Sequence, residues 1–495
     1  MRLYWLAPPY LNGDAQRDYL ASHHIVAYQD YPLLGPWNTF FGIIASPVYF
    51  YFLAFFLLIK DDILTLQYVN VALQIMTLAT FYIFAKHVFS PRTALIAMTL
   101  FSFSHTVLSQ TTDFWQPSIM MPFLALSSLL LLWAYTKKSY RLLLSGLFVF
   151  TLAGIMHNAA IALFPPFLVA AFMILKTWLA DTKQYIGALL AIVIPFTVSH
   201  FPVFIYFWGN HGQEGSLLLS MSEELPASFG KFAINLTQTT KFFITLFFRG
   251  IAHEPSPLSV GLAVGIIAAG CMYFFNKRRT PFKKLCAGFM SAAILFPILG
   301  VSLFTIPLTD RYFMAVLGIF LILTTEYIST LFSENKLSIV FGVILSVLFI
   351  VNFSFASAPF TQPVTRENPL AQDIALITRI AGDIAQKEKR PDAHFFQASL
   401  YSHSNQFAWF PAELWNGIEK EFNTQFTVYD GFRKSPRDYM PINGGNYMFV
   451  VCNTRFAAID VRTCIGTFSK ENPQYILLKE IPTRDSTLYL MKKED

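Results

Sequence analysis

Asp14, Arg17 and Asp18 stand in the stretch Asn12-Gly13-Asp14-Ala15-Gln16-Arg17-Asp18-Tyr19. With Ala21 they share one face of a helix at i, i+3, i+4 spacing. Gly13 permits the turn into that helix and Asp14 can cap it. Leu20, Ile25 and Val26 could face lipid. A short amphipathic helix at a membrane surface, with a carboxylate beside a guanidinium, suits an anionic lipid head group. The same pattern also describes an ordinary capped helix with a solvated ion pair. Arg311 follows Pro307-Leu308-Thr309-Asp310 and opens the apolar run Tyr312-Phe313-Met314. A guanidinium there can grip a phosphate through two nitrogens, or simply anchor the chain at an interface. Asp113, in Thr112-Asp113-Phe114-Trp115-Gln116-Pro117, sits at the mouth of another apolar run, whose helix Pro117 can start. His157 and Asn158 interrupt a third. Polar groups at membrane depth are costly and usually line a cavity, although a hydrogen-bonded structural histidine fits the position too.

The elements that position these residues follow from composition. Of 495 residues 54% are hydrophobic and 13% charged, with 52 phenylalanines and a net charge of +6. A disordered chain, a soluble multidomain enzyme and a nucleic-acid binder are thereby excluded. Apolar windows of about 17–23 residues recur, each long enough for the hydrocarbon core. Spans are expected near 65–86, 93–109, 118–135, 142–157, 159–176, 184–207, 257–275, 285–306, 312–331 and 337–355. Lys86, Arg92, Lys137, Lys138, Arg141, Lys176, Lys183, Lys277, Arg278, Arg279, Lys283, Lys284 and Lys336 fall in alternate loops, which are therefore cytoplasmic. The opposite loops, near 110–117, 157–159 and 307–311, carry only Arg311. This orientation requires the run 43–59 to be re-entrant or to lie on the external surface; a full crossing is the competing reading.

The fold expected is an all-α polytopic membrane domain over residues 1–360, with about ten spans and external juxtamembrane helices. Its external loops cover about 1–64 and 208–256. A small extracytoplasmic α/β domain follows over 361–495. In that tail Ile374, Ile377, Ile380 and Ile384 recur at helical spacing, and β-like runs fall near 393–397, 424–429, 446–452, 475–481 and 487–492. Cys452 and Cys464 can pair in an oxidising compartment, or remain two free thiols. The loop 208–256 has a polar first half with His211, Glu214, Glu223 and Glu224, and a semi-apolar second half at 231–249.

No dinucleotide loop, P-loop, HExxH or CxxC occurs. Four stretches do resemble the polytopic GT-C glycosyltransferases of the bacterial type, relatives of the lipid A aminoarabinose transferase and the protein O-mannosyltransferases. They are Gly13-Asp14-Ala15-Gln16-Arg17-Asp18-Tyr19 with Ser46-Pro47-Val48-Tyr49-Phe50-Tyr51, Ser109-Gln110 through Trp115-Gln116-Pro117, Gly154-Ile155-Met156-His157, and Asp310-Arg311-Tyr312. The resemblance covers roughly residues 10–330. Two departures stand out. Ser46-Pro47 replaces the family's His-Pro-Pro element, and residues 1–10 are too short for the membrane helix that precedes the family's acidic loop.

The resemblance implies transfer of a sugar from a polyprenyl-phosphate donor to a lipid, glycan or protein acceptor. The place implied is the external face of a bacterial cytoplasmic membrane. Asp14 takes the position of the family's essential acid, with Arg17 and Asp18 after it. Asp113, His157, Arg311 and Tyr312 are the expected substrate contacts. A single carboxylate base with direct attack predicts inversion at the sugar carbon. A divalent cation bridged by Asp14 and Asp113 is compatible with this set, although no ligand cluster demands one. The rivals are an O-antigen-type polymerase or ligase, which would depend on 208–256, and a transporter or lipid flippase, which would tend to show internal repeats.

Overall fold

The computed structural model describes residues 13–29, 31–33, 35–36, 45–104, 107, 114–178, 181–209, 229–248, 270–271, 273–275, 280–303, 313–332, 379–380, 383, 396–401, 427–430, 447–453, 469–470, 473–482 and 486–493. The chain forms two compact units. One comprises Met1–Ala7, Leu33–Phe52 and Asp62–Pro363; the other comprises Pro8–Pro32, Leu53–Asp61 and Val364–Asp495.

The larger unit is helical. Its described helices are α3 (Ile63–Val88), α4 (Pro91–Phe103), α5 (Gln116–Lys137), α6 (Tyr140–Met156), α7 (Phe164–Thr177), α8 (Thr182–Gly209), α9 (Phe229–Phe248), α10 (Pro281–Ser302) and α11 (Met314–Phe332). α1 (Gly13–Tyr28) and α2 (Val48–Leu57) precede them. A short 3-10 turn, Asn158–Leu163, leads into α7. Local chemistry sets the ends. Asp62, Ser90, Ser139 and Thr280 each accept a first-turn backbone N–H through their side chains. Pro91 and Pro281 then occupy first-turn positions, where no N–H is needed. Lys138, in the left-handed region at φ 49°, stops α5.

Among the described residues five helical segments are long and apolar enough to cross a membrane: Ile63–Val88, Gln116–Lys137, Ala159–Thr177, Thr182–Ile205 and Pro281–Ser302. Val48–Leu57, Tyr140–Met156 and Val316–Tyr327 are shorter apolar helices. The expected span at 337–355, and most of 257–275, lie outside the described residues. α2 has 10 residues. That is ~15 Å of helix, half the thickness of a hydrocarbon core. α9 occupies the semi-apolar half of the 208–256 loop and packs on α10.

α5 and α6 form the tightest pair, an antiparallel hairpin. A Cβ on Gly146 would stand 3.1 Å from Leu131, and Ser127 donates to the Gly146 carbonyl at 2.8 Å. The backbones approach because one of them carries no side chain at the crossing. Phe150 stacks on Phe167 at 4.2 Å, and Phe289 meets Phe167 edge-on, which joins α6, α7 and α10.

The smaller unit holds α1 and a five-stranded sheet: β1 (Phe396–Tyr401), β2 (Thr427–Asp430), β3 (Tyr447–Asn453), β4 (Tyr475–Pro482) and β5 (Ser486–Lys493), in the order β2-β1-β3-β5-β4. β1 runs parallel to β2 and β3; β5 runs antiparallel to β3 and β4. The five β-like runs thus overlap five strands of one mixed sheet. The helix expected over 371–387 is described only at Arg379, Ile380 and Asp383. Cys464 lies outside the described residues, and with it the pairing with Cys452.

Candidate functional site

In the larger unit hydrogen bonds tie the start of α2 to the middle of α8 and to the start of α5, and the start of α5 to α3. Ser46 Oγ accepts from the Val48 N–H at 3.2 Å and donates to the Ser199 carbonyl of α8 at 2.6 Å. Pro202 lies just beyond Ser199; it has no N–H to donate and crowds the carbonyl four residues back, which weakens the helical ladder there. The Tyr49 hydroxyl donates to the Phe114 carbonyl at 2.8 Å. This fastens α2 to the segment that opens α5. Gln74 Nε2 of α3 then donates to the Ser118 carbonyl at 2.8 Å and to Asn70 Oδ1 at 3.3 Å.

α3 presents a buried polar stripe to its neighbours, Gln67, Asn70, Gln74, Thr77 and Thr80, at spacings of three and four. Such a stripe in an apolar helix faces a bundle interior, because lipid solvates no amide. Gln67 Oε1, Gln74 Oε1 and Gln116 Nε2 are buried and meet no hydrogen-bond partner among the described residues. His200 of α8 joins this set. Its Nδ1 lies 2.9 Å from the Phe196 carbonyl oxygen, which can only accept, so Nδ1 carries the proton. In the neutral ring Nε2 is then the accepting nitrogen, and it too is buried without a partner among the described residues.

In the smaller unit, α1 begins at Gly13. Asp14 therefore stands inside the first turn rather than at the cap position. The backbone at Asp14 and Arg17 is described; their side chains lie outside the description. Asp18 is fully buried, and its carbonyl accepts from Ser22 Oγ at 2.7 Å. One turn further on, His23 Nδ1 pairs with Asp61 Oδ2 at 2.7 Å, with His23 buried and Asp61 partly exposed.

His157 is buried where α6 ends, and its Nδ1 accepts from the Ala159 N–H at 3.2 Å, so it caps the 3-10 turn. Asp113, Arg311 and Tyr312 lie outside the described residues. Among the described residues no group of three His, Cys, Asp or Glu could hold a metal ion.

Several functional candidates escape the sequence reading: the amides of α3 and α5, His200, the His23–Asp61 pair and Glu326. Glu326 is a carboxylate buried in α11 that accepts from Thr93 Oγ1 of α4 at 2.8 Å. The signal for the amides is present in the sequence, as polar residues every three or four positions along the expected span 65–86.

Residues 45–201 match the family described as dolichyl-phosphate-mannose-protein mannosyltransferase. No curated protein matches the chain in sequence. In fold it is similar to ArnT from Cupriavidus metallidurans. The apo structure of ArnT superposes with a TM-score of 0.59 at 10% identity, over 99% of this chain and 95% of that one. ArnT bound to undecaprenyl phosphate gives 0.57 at the same identity and coverage. The oligosaccharyltransferase of Archaeoglobus fulgidus, in complex with Zn and sulfate, gives 0.51 at 12% identity, over 97% of this chain and 69% of that one. By a family match from Ala45 to Phe201 and a shared fold over nearly its whole length, the chain resembles the polytopic GT-C glycosyltransferases.

Proposed function

We propose that this chain is a membrane glycosyltransferase that moves a sugar from a polyprenyl-phosphate donor to a lipid, glycan or protein acceptor. The reaction takes place on the external face of a bacterial cytoplasmic membrane and inverts the sugar carbon. The observation that carries this reading is the fold shared with an ArnT structure that holds undecaprenyl phosphate. The helix α1, which bears Asp14, Arg17 and Asp18 on one face, agrees with it.

In this mechanism Asp14 takes the proton from the acceptor hydroxyl as its oxygen attacks the anomeric carbon. The bond from that carbon to the phosphate oxygen breaks, and the electron pair leaves with the polyprenyl phosphate. Arg17 and Arg311 neutralise the charge that develops on it. The lipid phosphate is itself a good leaving group, so no nucleotide is needed. Asp18, Asp113, His157 and Tyr312 orient the substrates.

The test is sugar transfer in isolated membranes, with wild type and Asp14→Asn at matched expression and polyprenyl-phosphate sugars supplied. Transfer should disappear in the variant. Transfer that survives would move the catalytic assignment to the loop 208–256 and to a polymerase or ligase mechanism.

A further inference from the structure

α1 has 16 residues. A helix of that length is marginal in water by itself, so its neighbours fix where it lies. Ala15, Asp18, Tyr19, Ser22 and His23 are buried, at spacings of three and four, and form its packed face. Burial of such a face sets the register only loosely, because apolar contact has no direction. A hydrogen bond sets it closely, since it weakens steeply once distance or angle slips. Ser22 Oγ bonds back to the Asp18 carbonyl of its own helix. His23 instead reaches out of α1, and its Nδ1 lies 2.7 Å from Asp61 Oδ2. The His23 side chain is 3% exposed and that of Asp61 28%, and Tyr19 stacks on the imidazole at 6.0 Å. The other carboxylate oxygen, Asp61 Oδ1, is buried and meets no hydrogen-bond partner among the described residues. An unsatisfied buried oxygen is costly, so this carboxylate leans on its bond to His23.

We propose that the His23–Asp61 bond is a clasp that holds α1 in register, and that through it Asp61 positions Asp14 for sugar transfer. Asp14 precedes His23 by nine residues, which is ~13.5 Å along the axis and about two and a half turns. The two positions therefore lie on opposite sides of the helix. A grip on His23 does not occupy the side on which Asp14 stands. A slip of one residue would carry Asp14 ~1.5 Å along the axis and about 100° around it. A misplacement of about 1 Å can cost a reacting group about a hundredfold in rate. Asp61 is thus a positioning residue, whose effect reaches the substrates only through α1.

This inference rests on the proposed role of Asp14, and two measurements separate the two. Backbone amide exchange is followed over α1, β3 and β5 in the full chain in lipid nanodiscs. Transfer is measured in isolated membranes at matched expression, from polyprenyl phosphates carrying a hexose, a pentose or an amino sugar. Asp61→Ala should speed exchange in α1 by about tenfold, the worth of one hydrogen bond, and leave β3 and β5 unchanged. Its maximal transfer rate should fall by about tenfold or more, while KM for the donor lipid holds. Asp61→Asn keeps an oxygen that accepts from the His23 Nδ1–H group and should restore both readouts. Unchanged exchange in α1 of Asp61→Ala would overturn the clasp. Faster exchange there with an unchanged transfer rate would overturn the positioning role and leave Asp14 as base standing. Exchange that rises equally in β3 and β5 would mean that Asp61 merely holds the unit together, and would overturn the inference too. So would Asp61→Asn as impaired as Asp61→Ala. A wild type that transfers none of these sugars would overturn the proposed function and the positioning role with it.

Discussion

Ser46 Oγ donates to the carbonyl oxygen of Ser199 at 2.6 Å across 153 residues of chain. These two residues stand just inside the two ends of the family match, 45–201, so the matched segment is closed on itself by a hydrogen bond. Both are buried. Ser46→Ala removes this bond and also the acceptor of the Val48 N–H, at a cost of about 1–3 kcal/mol. The expected outcome is a lower unfolding temperature in detergent. An unchanged temperature would mean that α8 does not depend on this bond.

Gly318 of α11 faces Phe81 of α3, where an added Cβ would come 2.5 Å from the ring. Phe81 is buried and meets Phe101 edge-on, so it has little room to turn. Gly318→Ala should therefore destabilise the bundle by about 1–3 kcal/mol. Adding Phe81→Leu should restore part of the loss. Strictly additive effects in a double-mutant cycle would show that the two residues are not in contact.

Among the described residues Glu326 is the buried carboxylate of the larger unit, and Thr93 supplies it a hydroxyl at 2.8 Å. Thr93→Val keeps the shape and removes that hydroxyl. Loss of a hydrogen bond to a buried carboxyl predicts a cost of about 1–3 kcal/mol. Glu326→Gln keeps an acceptor for Thr93 and should cost less. The order of the two unfolding temperatures decides: Glu326→Gln falling below Thr93→Val would speak against this role for Thr93.

The product should carry the anomeric configuration opposite to that of the donor. The one-bond C1–H1 NMR coupling at the transferred sugar's anomeric centre reads this directly. Retention would require a second carboxylate acting as nucleophile and would end the single-base assignment of Asp14.

The local features of the fold are legible in the sequence because they depend on neighbours. Short β-prone runs mark 446–452 and 487–492, which are β3 and β5, and Gly13 opens α1 where the turn chemistry places it. The order β2-β1-β3-β5-β4 is not legible, because parallel pairing joins segments that share no local signal. The site divides in the same way. Asp14 is marked by its motif. His200 and Glu326 are single polar residues inside apolar windows. For Glu326 the meaning depends on a group met only in three dimensions, a threonine 233 residues away.

β4 forms one margin of the sheet and shows Ile476, Leu477 and Leu478 in succession at its surface. Such a margin would ordinarily invite a strand from a neighbouring molecule. Here the register shifts between Leu477 and Lys479, the charged Lys479 and Glu480 follow, and Pro482, which offers no N–H, closes the strand. Chains crowded side by side in a bilayer are thereby kept from zipping together through their tails, and a greasy rim is tolerated without becoming a seed for aggregation.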